Sequence, residues 1–478
     1  MSEHSGYVSV SMLIGVIYME LFRYRNFTRG LQEIQEQTIY FASREELNDP
    51  TVEGFLNVFW QGDRIAWEGL FRNYVCSLYN VINLYLLKAE HELIMKSAVM
   101  VDIHQFDNVP AGKIIERLGD IFLESDDVEY LVSILSEGKF RISRDELLFF
   151  LYCIHRRALL KVFSVSIEAG YREESFIKIR DALVASLEVK KIPEVKNLLN
   201  KDIDMRQKIL HEFCNLQEDH YNKIVATVMD TQKTIWMSIA GNFPNMYINF
   251  LENLLHPETY IACFSSSENN NAMWGQYASN HTGVCLIYDT HTQNGNECLA
   301  LRKRYGVSSS GEEYYKYTDE RIYPIQYGGS VCEANFFTTL GQFNGNVLHG
   351  WLASKDGKRS CCLNHIYEQK DTWRNEYWQL LYNRYCHKTK EWEYEREYRL
   401  LLVNSFFDYT KKESRIIKYH FSDLKGVILG SKMLPKNRMM IVDAVEQQCK
   451  KHGREDFKIY IAEYDHTIDS IIKRPLYI

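Results

Sequence analysis

A chain of 478 residues, 46% hydrophobic and 25% charged, is long enough for about two or three compact units and too apolar to stay unfolded. Its formal charge of -7 gives no general basic surface, so nucleic acid is not indicated as a partner. The 11 cysteines are odd in number and include no C-x-x-C pair, which argues against a secreted disulfide framework and a zinc site and points to reduced thiols in the cytoplasm.

In chain order, the apolar run Tyr7 to Phe22 comes first. No Lys or Arg precedes it, it contains Glu20, and it is shorter than the roughly 20 residues a membrane helix needs. It reads as a buried first strand or the entry to a helix, with no membrane role. A short helix over Arg29 to Glu36 and a strand over Thr38 to Ser43 follow, and Glu46 to Pro50 (ELNDP) makes a loop. From about Asp63 to Glu252 the apolar period changes to 3.6. Helices are expected over Trp67 to Met95, Arg172 to Lys191 and Asp204 to Met237. Another is announced by a capping box, Ser143 with Glu146, and stopped by Gly170. Strand character returns at Tyr260 to Phe264, then a helix over Asn271 to Ser279 and a strand over Gly283 to Asp289. Further strands are expected at Ile322 to Tyr327, Tyr398 to Val403, Arg415 to Phe421, Gly426 to Gly430 and Phe457 to Tyr464. Helices are expected at Trp373 to Tyr385 and Asn437 to Lys450. The irregular alternation implies an α+β fold. It predicts a mixed or antiparallel sheet domain assembled from residues 1–60 and 256–478, interrupted by an α-helical bundle over residues 61–255.

Three groups of residues carry chemistry. Trp274, Tyr277, Ala278 and His281 stand at i, i+3, i+4 and i+7, which on one helix face would form a stacking wall for a flat ligand; packing is the commoner use of such a stripe. Glu395, Glu397 and Arg399 alternate along WEYEREYRLLLV, so on a strand they would share a face, either lining a cleft or closing a buried strand as an ion pair. Arg23 and Arg25 in LFRYR could grip phosphate or carboxylate, while Asn48 and Asp49 either join them or merely build their turn. No G-x-G-x-x-G, Walker A, G-x-S-x-G or H-E-x-x-H motif is present.

LFRYR, TIYFAS, LNDP, CFSSS, MWGQYASNHTGVCLIYD, WEYEREYRLLL and LKGVILGSKM, in that order, resemble the bacterial domain of unknown function 2971 family. The resemblance covers roughly the first 60 residues and everything after about 255. The long helical segment between LNDP and CFSSS, and Thr51 after NDP, depart from it. The early Arg-Tyr strand and the late Glu-x-Glu are also similar in arrangement to ADP-ribosyltransferase-type sites. That similarity implies Arg23 and Tyr24 for binding, Glu397 or Glu395 for catalysis, Trp274 or Tyr277 for stacking, NAD as substrate, and no metal. It implies a toxin or defence effector, for instance against phage. Two other readings stand beside it. One is a non-catalytic sensor or adaptor that binds a small nucleotide-like ligand and engages a protein through its helical insertion. The other is a metal-dependent nuclease using Asp49, Glu395, Glu397 and His281.

Overall fold

A computed structural model describes residues 19–49, 54–103, 110–170, 198–227 and 238–476. The expected helix over Arg172 to Lys191 and most of the apolar run from Tyr7 lie outside these residues. The chain divides into two compact units. One contains residues 1–54, 258–330 and 385–478, and the other residues 55–257 and 331–384. Residues 331–384, which sequence order groups with the sheet region, thus fall in the second unit.

Strands are numbered along the chain. β1 (Glu20–Arg25) and β2 (Thr38–Tyr40) open the first unit, and β3 (Asn57–Phe59) belongs to the second. The first unit continues with β4 (Thr259–Ser265), β5 (Val284–Asp289), β6 (His291–Gln293), β7 (Asn296–Val307), β8 (Glu313–Pro324) and β9 (Gln326–Tyr327). β10 (Glu333–Asn335) pairs in parallel with β3 in the second unit. The first unit then resumes with β11 (His387–Lys388), β12 (Glu397–Val403), β13 (Ile416–Tyr419), β14 (Leu424–Leu429), β15 (Lys458–Asp465) and β16 (Ser470–Pro475).

The main sheet runs β16-β15-β14-β5-β1-β4-β12-β8-β7-β13-β2. All its pairings are antiparallel except β14 with β15, so it is a mixed sheet and the fold is α+β. Its last members curl back: beyond β2, Ala42 forms a bridge with Ile261 of β4, with both N–H···O bonds at 2.8 Å. β1 meets β4 at a single pair, Phe22 with Ser265, and the two strands then part. The same Ser265 pairs with Glu397, so Phe22, Ser265 and Glu397 lie side by side across three strands. Leu21, Ile34, Phe264, Leu286, Leu400 and Val427 are among the buried residues that form the core of this unit.

The helix Phe27–Glu36 packs over β1 and β5. Asn26 caps it by accepting the Arg29 N–H at 2.9 Å, and Gln37 ends it in the left-handed region at φ 55°. Gly30 permits its close approach, since a Cβ there would stand 2.2 Å from Val284 Cγ2.

The second unit is built of helices around Trp67, Phe71, Tyr74, Leu151 and Phe243, all buried. The helix Arg144–Glu168 begins at the expected box: Ser143 accepts from the Glu146 N–H, and Glu146 Oε2 accepts from the Ser143 N–H at 2.7 Å. The long helix expected to reach Met95 instead spans Arg64–Leu86, and a separate helix His91–Lys96 follows. Lys88, at φ 54°, makes the break that the apolar period runs through. Among the described residues, no helix is long and apolar enough to cross a membrane.

Candidate functional site

A cavity of about 340 Å³ opens within the first unit, where β1 and β4 part. Its wall includes Arg23, Tyr24, Arg25, Arg29, Asn48, Tyr277, Lys388, Glu395, Glu397 and Arg399. Of the residues singled out from sequence, Trp274, His281 and Asp49 are not in this lining.

The carboxylate side of the cavity is built by local backbone geometry. Lys390–Glu395 is a 3₁₀ helix, not the start of a strand, and Arg396 turns the chain in the left-handed region at φ 44°. The strand β12 begins only at Glu397. Ser265 Oγ donates to the Glu395 carbonyl at 2.7 Å, and the Ser266 N–H donates to the Arg396 carbonyl at 3.0 Å, so β4 fastens this turn. The turn brings Glu395 and Glu397 to the same ammonium group. Lys388 Nζ stands 2.7 Å from Glu395 Oε2 and 2.8 Å from Glu397 Oε2. All three side chains are buried. Arg399 closes the other side of Glu397 with Nε at 2.7 Å and Nη2 at 3.1 Å. Glu395 Oε1 accepts the Tyr277 hydroxyl at 2.5 Å, and that hydroxyl accepts from Asn48 Nδ2 at 2.7 Å. A continuous polar chain therefore runs from Asn48 through Tyr277, Glu395, Lys388 and Glu397 to Arg399.

This chain separates the two acids electrostatically. Burial raises the Glu395 carboxyl, with Lys388 opposing it. Burial acts the same way on Glu397, but the guanidinium of Arg399 and the ammonium of Lys388 outweigh it and hold that carboxyl below the usual range. Burial, then the neighbouring Glu395, push the Tyr277 phenol up, so it stays a donor at neutral pH.

The opposite residue group comes from β1 and the helix after it. Arg23 is buried and fully engaged: Nε with Glu33 at 3.2 Å, Nη1 with the Cys263 carbonyl at 3.1 Å, and Nη2 with the Tyr40 carbonyl at 3.0 Å. Burial, then Arg25, lower its pKa. Arg25 Nε reaches Glu33 at 2.8 Å and its Nη1 the Tyr24 carbonyl at 3.1 Å. Arg29 is exposed. The Tyr24 hydroxyl donates to the Ser267 carbonyl at 2.8 Å, and its ring meets Trp274 edge-on at 5.2 Å.

The expected aromatic stripe is split. The helix starts after Asn270, whose side chain caps it, and ends at Gln276. Ser279, Asn280 and His281 then adopt positive φ, so the i+7 position leaves the helix. Trp274 is fully buried with its Nε1 donating to the Glu268 carbonyl, and His281 stacks on it at 6.3 Å. Burial, then Lys432, lower the His281 pKa. Tyr277 alone of the stripe's rings lines the cavity. Asp49 is buried beside the exposed Asn48. Among the described residues, no group of three or more His, Cys, Asp or Glu side chains is placed to hold a metal ion.

A family model described as "Protein of unknown function (DUF2971)" matches residues 273–400. Over that stretch the chain is similar to DUF2971. The matched segment carries Tyr277, Lys388, Glu395, Glu397 and Arg399, which is the whole carboxylate cluster except Asn48. Arg23, Arg25 and Arg29 come from the sequence before it. No curated protein and no solved structure matches the chain.

Lys388 and Arg29 were not singled out from sequence, whereas Arg25 was, beside Arg23, and it lines the cavity. Lys388 lies in the two-residue strand β11, which pairs with β9, and neither its period nor a motif marks it.

Proposed function

We propose that this cavity is the active site of an NAD-consuming, ADP-ribosyltransferase-like enzyme, acting as a toxin or defence effector. The observation that carries the reading is the convergence of Glu395 and Glu397 on Lys388 in the wall of a cavity that also presents Tyr277 and arginines. Breaking the bond between ribose and nicotinamide sends the electron pair to the nicotinamide nitrogen and leaves positive charge on the ribosyl ring. A preoriented carboxylate in a water-poor wall stabilises such charge more than water would. Glu397 is committed to Arg399 by two hydrogen bonds. Glu395, bonded to the half-buried Tyr277, is therefore assigned to the reacting ring and Glu397 to its support. An acceptor hydroxyl, or water, then bonds to the ribosyl carbon and loses its proton.

The test is incubation of the protein with NAD and cell lysate, following nicotinamide by chromatography. Release by wild type, reduced about 100-fold or more in Glu395→Gln and clearly reduced in Tyr277→Phe, is expected. Undiminished release by both variants would overturn the assignment.

A second reading, a non-catalytic sensor of a small nucleotide, is favoured by one observation. Every nitrogen of the Arg23 guanidinium already has a partner within the protein, so this arginine is fixed as structure and not held ready for a reacting group. Ligand binding without turnover, in lysate that supplies acceptor proteins, would select it. The metal-dependent nuclease draws no support from geometry, because Asp49 and His281 do not share the cavity wall with the two glutamates.

A further inference from the structure

The cavity's charge is unevenly distributed, and that asymmetry assigns a second role within it. On the carboxylate side, Lys388 and Arg399 balance Glu395 and Glu397 one for one. The other acidic lining residue, Glu46, is engaged by Lys412 at 2.9 Å, with Arg415 at 3.7 Å. On the side of β1 and the helix Phe27–Glu36, three arginines line the cavity, and the acid that meets them is the single buried Glu33. Arg23 and Arg25 share that one carboxylate. Among the described residues, the Arg29 side chain has no ion-pair or hydrogen-bond partner. Two positive charges are thus left over on this wall of a protein whose net charge is -7.

Arg23 cannot supply the free donors. Its three nitrogens are spent inside the fold, and it is buried against the Phe264 ring at 5.0 Å. Arg25 retains Nη2, and Arg29 retains its whole fork. A guanidinium fork fits the oxygens of a phosphate in a two-pronged bond, which an ammonium does not match. The cavity volume, about 340 Å³, lies at the lower end of the range of about 300–1,000 Å³ for small-molecule sites.

We propose that Arg25 and Arg29 form a phosphate subsite in this cavity. The site encloses one nucleoside phosphate, and the remainder of any dinucleotide projects from the mouth. This rests on the nucleotide reading of the site above, but it holds equally for an enzyme and for a sensor.

Binding of AMP, adenosine, inorganic phosphate and NAD to the full chain, followed by calorimetry at two salt concentrations, tests it. Wild type should bind AMP at least ten-fold more tightly than adenosine, with the preference shrinking at high salt. Arg29→Ala should abolish the preference without changing adenosine affinity, and Arg29→Lys should restore part of it. NAD should bind no more than about ten-fold more tightly than AMP. Equal binding of AMP and adenosine by wild type, an intact preference in Arg29→Ala, or no binding of either nucleotide would overturn the subsite. Because Arg29 is exposed and unpaired, its loss should leave the melting temperature in place, which separates a lost subsite from a lost fold. Phosphate preference without nicotinamide release would uphold the subsite and sink the enzyme. Release that persists with an intact preference in Arg29→Ala would do the reverse.

Discussion

Lys388 is the residue on which the site's stability turns. It neutralises two buried carboxylates at once, so its removal would leave two acids in a low-dielectric wall with Arg399 alone to answer them. Removing one partner from a buried ion pair typically costs about 3–5 kcal/mol. Lys388→Met should therefore lower the melting temperature of the sheet unit by many degrees. Adding Glu395→Gln to it should recover part of the loss, because the neutral amide needs no counter-charge. A double variant less stable than Lys388→Met would show that Lys388 acts through packing against Trp392, 5.0 Å away, and not through charge. At this scale sequence was partly legible. Glu395, Glu397 and Arg399 stood out by their spacing, yet the spacing argument assumed a strand. What joins the two acids is a left-handed turn at Arg396, a conformation that an arginine side chain does not announce.

The helix Phe27–Glu36 is the element that orders the arginine side of the cavity. It carries Arg29 at its start and Glu33 one turn later, and it holds Glu33 under both Arg23 and Arg25. Its seating depends on Gly30 lying against Val284. A methyl group there forces the helix off the sheet, at about 1–3 kcal/mol for overpacking, set against a gain of about 1 kcal/mol in helix propensity. Gly30→Ala should lower the melting temperature and loosen the Arg25–Glu33 pair, and so weaken AMP binding as well. A variant with unchanged melting and unchanged binding would mean that the helix is free to shift. The helix and β2 were evident from the 3.6 and 2 periods. The paired strands β7 and β8 were not foreseen over most of their length, because Arg302, Lys303 and Arg304 on one, and Tyr314, Tyr315 and Lys316 on the other, give no alternation of apolar and polar residues.

For the molecule as a whole, the two units should respond differently to acid. In the second unit His256 is buried against Tyr377, with ring centroids 4.7 Å apart, and its Nε2 meets the Tyr377 carbonyl at 3.3 Å. Burial, then Arg384, push its pKa down to about 4. Between the ordinary value of 6.5 and about 4, the unfolded chain therefore binds a proton that the folded chain refuses. Stability of this unit should fall as pH drops through that window, by about 3 kcal/mol in total. His256→Gln should flatten the dependence in melting curves taken from pH 7 to pH 4.5. An equally steep wild-type-like decline in that variant would assign the acid sensitivity to other groups.

The sequence by itself determined the α+β class, the helical character of the middle of the chain, the capping box at Ser143 and the DUF2971 resemblance. Each rests on local signals, helix and strand periods, caps and short sequence blocks, read in their order along the chain. Only the tertiary structure decided the cavity. Lys388 reaches the glutamates because β11 pairs with β9 some sixty residues earlier, and Tyr277 reaches Glu395 across more than a hundred. Arg23 was expected to face a ligand. The fold instead gives its donors to Glu33, Cys263 and Tyr40, because a buried guanidinium left unpaired costs more than the folded chain can tolerate, and leaves Arg29 to meet the solvent.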